Sequence, residues 1–388
     1  MSAMREVYLD HAATTPVDPR VLEEMLPFFS ERYGNASSVH APGRTAREAV
    51  DVARERVAEL IGAGPDQIVF TSGGTEADNL ALQGCMAALA GRREHLVTTA
   101  IEHHAVLETA RHLERQGKRV TLIPVDECAV VAPEAVQEAL GDDTALVSVM
   151  LANNEVGSLQ PVREIAAAAR ERGVAIHTDA VQAIGQIPVS VDEFGVDMLS
   201  LSAHKLYGPK GVGALYIRRG TRMHAIMHGG EQERRRRAGT ENVAGIVGFG
   251  KACELARELL PTEPKRMAAL RDRLVAGIRD AVRDAIHCGH PTQRLPNNAH
   301  FCFPGANGEA LLIRLDGRGI YASTGSACSS GSLEPSHVLA AMGIALETAY
   351  TAVRFSLGRH TTAEDIEHTL GELPLAVERT RAAAAVEL

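Results

Sequence analysis

Between residues 68 and 217, short apolar runs alternate with longer segments whose apolar positions recur at three and four. QIVF, HLVTTAI, RVTLIPV, TALVSVMLA, VAIHTDA, VDMLSLS and ALYI have strand length and end at turn residues. ADNLALQGCMAALAG, HAVLETARHLERQG, PEAVQEALG and VREIAAAARERG carry the spacing of amphipathic helices. The strands are nearly continuous in apolar residues rather than alternating. That is the pattern of strands buried on both faces, so the expected fold is α/β, a mostly parallel seven-stranded sheet covered by helices on both sides.

On either side of this unit the pattern changes. VYLDHAATTP predicts a short strand and a turn, RVLEEMLPFF a helix, and YGNASS a polar loop. Residues 45–61 predict an amphipathic helix. The helical pattern breaks around residues 261–264, where two prolines stand close together. Beyond them RMAALRDRLVAGIRDAV, GEALLIRLDGRG, HVLAAMGI and TAEDIEHTLGEL read as helices. NNAHFCFPG, IYAST and TAYTAVRFSLG read as strands, so this part is α+β. The expected division is a large domain over residues 15–262 and a smaller one made of residues 1–14 and 263–388.

Ligands of parallel α/β sheets collect at the carboxyl ends of strands, so the residues at those ends matter most. Thr71-Ser72-Gly73-Gly74-Thr75 follows the first strand, and glycines and hydroxyls opening a helix suit an anion such as phosphate. Glu102-His103-His104 follows the second, Asn153-Asn154-Glu155 the fourth, and Asp179 closes the fifth. The sixth, VDMLSLS, runs into Ala203-His204-Lys205, ahead of a glycine-marked turn and a returning strand. Each residue also has a bland reading: a βα turn, a solvated histidine, a helix cap, a loop lysine. Together they match the contacts of a pyridoxal phosphate ring: phosphate, ring face, phenolic oxygen, pyridine nitrogen and aldehyde carbon. The 26 residues from Asp179 to Lys205 leave room for one connection and one strand, which puts both at the same sheet edge.

Composition narrows the class without deciding it. The 388 residues carry a net charge of −9, so a nucleic-acid surface is not expected, although Arg234, Arg235, Arg236 and Arg237 are consecutive. A short arginine run preceded by acids suits a phosphate-facing or interface loop better. No run reaches the roughly 20 apolar residues of a membrane span, and the start of the chain lacks a signal-peptide pattern. The six cysteines form no Cys-x-x-Cys pair, so no metal site is expected, and sparse cysteines fit a reducing cytoplasm. Cys85 and Cys302 sit in apolar runs. Cys328 sits among small residues in the loop STGSACSSGSLEP, where a thiol can be reached. Arg354, inside the strand VRFSLG, calls for a carboxylate partner.

In this order YLDHAATTP, YGNASS, FTSGGTEADN, Glu102-His103, NNEVG, HTDAVQ, SLSAHKLYGPKG, ERRRRAGTEN, STGSACSSGSLEPSHVL and VRFSLGR resemble the motifs of class V, fold-type I pyridoxal phosphate enzymes. Within that class the chain is similar to the cysteine desulfurases of the NifS/IscS type, over nearly its whole length. The resemblance implies that Lys205 binds the cofactor covalently, with Gly74, Thr75, Ser202 and His204 on its phosphate. It implies that His103 stacks on the ring and moves protons, that Asn154 and Gln182 bond the phenolic oxygen, and that Asp179 pairs with the ring nitrogen. Thr240 would reach the phosphate in a second copy of the chain, hence a homodimer. Arg354 and Asn35 would hold the carboxylate of L-cysteine. Cys328 would take the sulfur as a persulfide, leaving L-alanine, and pass it to an iron–sulfur scaffold or another acceptor protein. Cys328 would then be the residue that meets an iron–sulfur cluster on a partner.

Three other readings stand beside this one. Another class V enzyme, such as a selenocysteine lyase, an aminotransferase or a kynureninase-like hydrolase, would not need Cys328. A non-catalytic sulfur-carrier or scaffold subunit would be expected to have lost Lys205 or Asp179. The arginine run would serve nucleic-acid binding.

Overall fold

The computed structural model describes residues 5–325 and 335–384. Twelve strands order the described chain: β1 (Val7–Tyr8), β2 (Ile68–Thr71), β3 (His95–Thr99), β4 (Arg119–Ile123), β5 (Thr144–Ser148), β6 (Ala175–Asp179), β7 (Met198–Ser202), β8 (Gly213–Ile217), β9 (Ile286–Cys288), β10 (Asn298–Cys302), β11 (Ile320–Tyr321) and β12 (Ala352–Ser356). The seven-stranded sheet has the order β2-β8-β7-β6-β5-β3-β4. All its pairings are parallel except the two made by β8, which runs antiparallel to β2 and β7.

Consecutive residues of these strands feed opposite cores, as the pleat requires. Val97, Val147, Ile176, Leu199 and Tyr216 pack on one side with the helices Ala41–Ile61 and Val243–Leu259. Leu96, Leu146, Met198 and Leu215 pack on the other with the helix Gly74–Ala88. At about 25 cal/mol per Å² of apolar area removed from water, this two-sided burial is the main stabilising term of the sheet. It also explains why the strands read as apolar runs.

A second core gathers Val7, Leu9, Leu274, Phe301, Phe303, Leu315, Val353 and Phe355. It is built on the antiparallel sheet β12-β10-β9, the parallel pair β1-β11, and the helices Glu263–Ala281 and Ala363–Ala384. The start of the chain therefore joins its far end, with Asp10 bridging to Ser356. A smaller cluster, including Ile101, Met150, Val156, Cys302 and Val338, packs residues after β3 and β5 against β9 and β10.

The structure departs from the sequence pattern in a few places. The helix expected over 45–61 begins at Ala41, because Pro42 suits a first turn and His40 Nδ1 accepts the Gly43 N–H at 3.3 Å. The last helix passes Pro374 and continues to Ala384. β9 has only Cys288 buried, too little for a pattern, and is held by pairing with β10. The residues before β12 form the short helix Leu346–Ala349 instead of extending that strand.

Candidate active site

The strand β7 ends in a single 3-10 turn, Ala203–Lys205, that turns the lysine toward the sheet edge. Lys205 Nζ donates to the carbonyl oxygens of Ala12 at 2.5 Å and Ala13 at 2.7 Å. The turn is held against the start of the chain: the Thr15 hydroxyl donates to His204 O at 2.9 Å, and Tyr207 N–H donates to Thr15 Oγ1 at 2.8 Å. Tyr207 has a φ of +65°, a left-handed conformation that a tyrosine adopts only at some cost. Its ring lies under the Arg359 guanidinium, 4.2 Å from ring centroid to Cζ.

Across β8, β2 ends at a glycine turn. Gly73 has a φ of +155° and opens the helix Gly74–Ala88. The backbones approach closely here: a Cβ on Gly213 would lie 2.5 Å from Leu201 O and 2.7 Å from Gly73 Cα. A Cβ on Gly74 would lie 2.8 Å from Val181 Cγ2. Glu76 braces the turn, accepting Ser72 N–H at 2.8 Å and Arg237 Nε–H at 2.8 Å. The arginine run is thus engaged within the protein at both ends of its length, with Arg234 Nη1 on Asp66 O at 3.1 Å.

These elements enclose a cavity of about 330 Å³. Of the twelve described residues that the sequence singled out, ten line it: Gly74, Thr75, His103, Asn154, Asp179, Gln182, Ser202, His204, Lys205 and Arg354. Gln182 Nε2 donates to Ala12 O at 3.0 Å, and His204 Nδ1 lies 3.2 Å from Thr14 Oγ1. Arg354 is 2 % exposed; it donates through Nη1 to Asn154 O at 2.8 Å and through Nη2 to Asp10 Oδ1 at 2.7 Å. Asn35 and Thr240 are exposed and do not line this cavity. Cys328 lies outside the described residues.

A cavity of about 610 Å³ opens near the amino ends of β5, β6 and β7, lined by Cys85, Arg93, Arg170 and Asp197 among others. It holds none of the residues singled out from the sequence, and it lies at the wrong edge of the sheet for the strand-end chemistry.

Burial sets the protonation states. Asp179 is held by Val181 N–H at 2.8 Å, yet burial pushes its carboxyl up to about 6, with Lys205 drawing it back. Burial and the neighbouring Lys205 push His103 down to about 4, and His204 likewise, so both imidazoles are neutral near pH 7. Glu102 is fully buried behind the site, accepting Thr99 Oγ1–H at 2.6 Å and Met150 N–H at 3.0 Å. Its carboxyl is pushed up to about 8 by burial.

The arrangement fits a phosphorylated pyridine aldehyde. Glycines at 73 and 74 leave the helix start open to an anion, which the helix dipole favours. Asp179 is a buried acid that a protonated ring nitrogen would stabilise. Lys205 supplies the amine, and His103, the N-cap of the helix His104–Arg115 after β3, supplies a flat neutral ring. Sequence reasoning missed Asp10, Ala12, Ala13, Asp78, Met150 and Val181. For Asp78 a signal existed: a carboxylate on the apolar face of a helix.

The aminotransferase class-V family model matches residues 7–369. The chain is 51 % identical over 377 residues to the cysteine desulfurase IscS of Dictyoglomus turgidum, covering 97 % of this chain and 96 % of that protein. Among solved structures, a NifS-like protein has a TM-score of 0.91 at 41 % identity, covering 97 % of this chain and 100 % of its own. SspA, solved in complex with cysteine, has a TM-score of 0.81 at 35 % identity, covering 92 % and 100 %.

Proposed function

The chain belongs to the aminotransferase class-V family and is a pyridoxal phosphate-dependent cysteine desulfurase, and from that premise we propose how its residues divide the work. The observation that carries the assignment is the single cavity that gathers ten of the singled-out residues around Lys205. Residues 15–262 form the large domain and supply the cofactor site; residues 1–14 and 263–388 form the small domain and supply Arg354 and the Cys328 loop.

When bound, pyridoxal phosphate supplies an aldehyde that condenses with amines and a ring that accepts negative charge from carbon. Gly74, Thr75, Ser202 and His204 hold its phosphate, Asn154 and Gln182 its phenolic oxygen, and Asp179 the proton on its ring nitrogen. His103 covers the ring as a neutral imidazole, able to accept a proton. Arg354 orients the carboxylate of L-cysteine; Asn35, outside the cavity of its own chain, has only the family likeness behind its part in this. Lys205, whose amine would otherwise hold the cofactor, would take the proton from the substrate Cα and return it there before L-alanine leaves.

The sulfur step belongs to Cys328. Its thiolate attacks the substrate sulfur, a new S–S bond forms, and the C–S bond breaks with its electron pair going to Cβ. Protonation completes the methyl group, and L-alanine leaves while Cys328 keeps a persulfide. That persulfide then passes to an acceptor protein of iron–sulfur cluster assembly, where Cys328 meets the partner's cluster site.

Two copies of the chain complete the site. Thr240 lies outside its own chain's cavity, and reaching the phosphate of a second copy gives it a role. Sedimentation should return a dimer, and mixing Thr240→Ala with Lys205→Ala chains should restore part of the lost activity. A monomer of full activity would remove this reading. Among the described residues no helix is long and apolar enough to cross a membrane, which accords with a cytoplasmic enzyme. The deciding assay mixes protein, L-cysteine and a thiol reductant, and measures sulfide with alanine. Equal amounts support the assignment; pyruvate, or alanine without sulfide, defeats it.

A further inference from the structure

The cavity holds a second buried carboxyl that the reaction above does not use. Asp78 lies on the helix Gly74–Ala88, faces the sheet, is 1 % exposed and lines the cavity. Its Oδ1 has no hydrogen-bond partner and lies 3.6 Å from His177 Nε2. A buried carboxylate oxygen left unpaired at the wall of a ligand site is costly and calls for a role.

The face of the sheet beneath Asp78 is polar where the rest is apolar. Leu96, Leu146 and Met198 open this face on β3, β5 and β7, but two residues further along the same strands stand Thr98, Ser148 and Ser200, with His177 on β6. Thr98 Oγ1–H donates to Ser148 O at 2.8 Å. His177 is held on both sides, Nδ1 at 2.9 Å from Ser148 Oγ and Nε2 at 2.9 Å from Ser200 Oγ. Ser200 stands beside Asp179 in the β6–β7 register. Burial pushes His177 down to about 3, so it carries no charge to balance Asp78.

The titratable groups facing Asp78 are His177 and Asp179 from β6, and Glu102 beyond β3; Lys205, His103, His204 and Arg354 face the same cavity, the arginine already paired with Asp10. Two carboxyls sharing a low-dielectric cavity with one amine do not both ionise. Asp179 has the anion-stabilising contacts, the Val181 N–H and Lys205. Burial and the charge of Asp179 raise the carboxyl of Asp78, against a hydrogen bond from Ser200.

We propose that Asp78 is a positioning residue of the desulfurase: a buried neutral acid, braced by the Ser148–His177–Ser200 chain, that leaves the carboxylate charge of the cavity on Asp179, where the pyridine nitrogen requires it. The inference rests on reading this cavity as the cofactor site. It extends the cofactor-binding set to a helix whose first turn alone was expected to take part.

The test loads wild type, Asp78→Asn, Asp78→Ala and Lys205→Ala with pyridoxal phosphate in the absence of cysteine. Three quantities are measured: the cofactor dissociation constant, the pH midpoint of the bound cofactor's visible absorption, and the melting temperature. The wild type should show a band that Lys205→Ala lacks; if it does not, the site reading itself fails, independently of Asp78. Asp78→Asn, neutral and of the same shape, should keep the wild-type midpoint and a dissociation constant within about threefold. Asp78→Ala should bind about tenfold more weakly, the worth of about one lost hydrogen bond in the shell, and move the midpoint. An asparagine variant as impaired as the alanine variant, or an alanine variant equal to wild type, overturns the proposal. If Asp78→Ala does not fold, His177→Gln takes its place: a moved midpoint supports the brace, and an unmoved one overturns it.

Discussion

Arg354 Nη2 donates to Asp10 Oδ1 at 2.7 Å, joining β12 to the turn that follows β1 across 344 positions of sequence. The pair holds a guanidinium at the cavity wall with its Nη1 already committed to Asn154 O. A planar fork fixed in this way suits a substrate carboxylate, and a lysine cannot reproduce it. Arg354→Lys should raise KM for L-cysteine by about tenfold to a hundredfold, the worth of about 1.5–3 kcal/mol for a hydrogen bond to a charged group. The visible band of the bound cofactor should be unchanged. Steady-state kinetics with an absorption spectrum checks both; an unaltered KM would remove Arg354 from substrate binding.

Cys328→Ser should abolish sulfide release from L-cysteine, because the hydroxyl cannot accept sulfur as a thiolate does. Cofactor binding should survive, since none of the described residues lining the cavity is altered. Rapid mixing with cysteine should still perturb the cofactor spectrum. Unimpaired sulfide production would exclude a persulfide on Cys328.

Glu102 links the site to pH. Its folded-state carboxyl is raised from 4.5 to about 8 by burial, so the folded protein holds it neutral while the unfolded chain ionises. The stability it contributes is full below about pH 4.5 and is lost as pH rises through about 8. Glu102→Gln has no such loss, and its amide oxygen can still accept the Met150 N–H. The melting temperature of the variant relative to wild type should therefore rise by about 3 °C or more between about pH 5 and about pH 9. A difference that stays constant across this range would contradict a neutral Glu102.

Gly213→Ala tests the close approach of β8 to the Gly73-Gly74 turn and the phosphate role proposed for it. Its Cβ would meet backbone, Leu201 O and Gly73 Cα, rather than the end of a flexible side chain. Overpacking of this kind costs about 1–3 kcal/mol. The displaced turn should weaken pyridoxal phosphate binding together with the melting temperature. Equilibrium dialysis and thermal melts read the two effects. Wild-type values for both would mean that the turn relaxes freely.

Much of the site was legible because strand ends are local features. The Gly73-Gly74 turn, His103, Asp179 and Lys205 each stand where an apolar run stops, and a parallel sheet brings such stops to one edge. Asp10 and Ala12 carry no comparable signal. Ala12 enters the cavity, and Asp10 meets Arg354 at its wall, because β1 pairs with β11 and the start of the chain returns beside β12. Asp78 carried a local signal, an acid on the apolar face of a regular helix, but only the packing of that helix on β6 and β7 turns its carboxyl into the cavity. Asn35 and Thr240, singled out by family likeness, lie apart from the cavity of their own chain.

The sequence by itself determined the order of strands and helices, the burial of the sheet on both faces and the chemistry at its carboxyl edge, because hydrophobic period and turn residues are local properties of the chain. It also carried the family. The tertiary structure alone decided that β8 lies between β2 and β7, and that the Gly73-Gly74 turn and Lys205 meet at one cavity. It decided too that the lysine rests on the carbonyl oxygens of Ala12 and Ala13, and that His177, held between Ser148 and Ser200, lies 3.6 Å from Asp78. Those contacts depend on strand order and on which faces meet, and both are settled only when distant segments pack together.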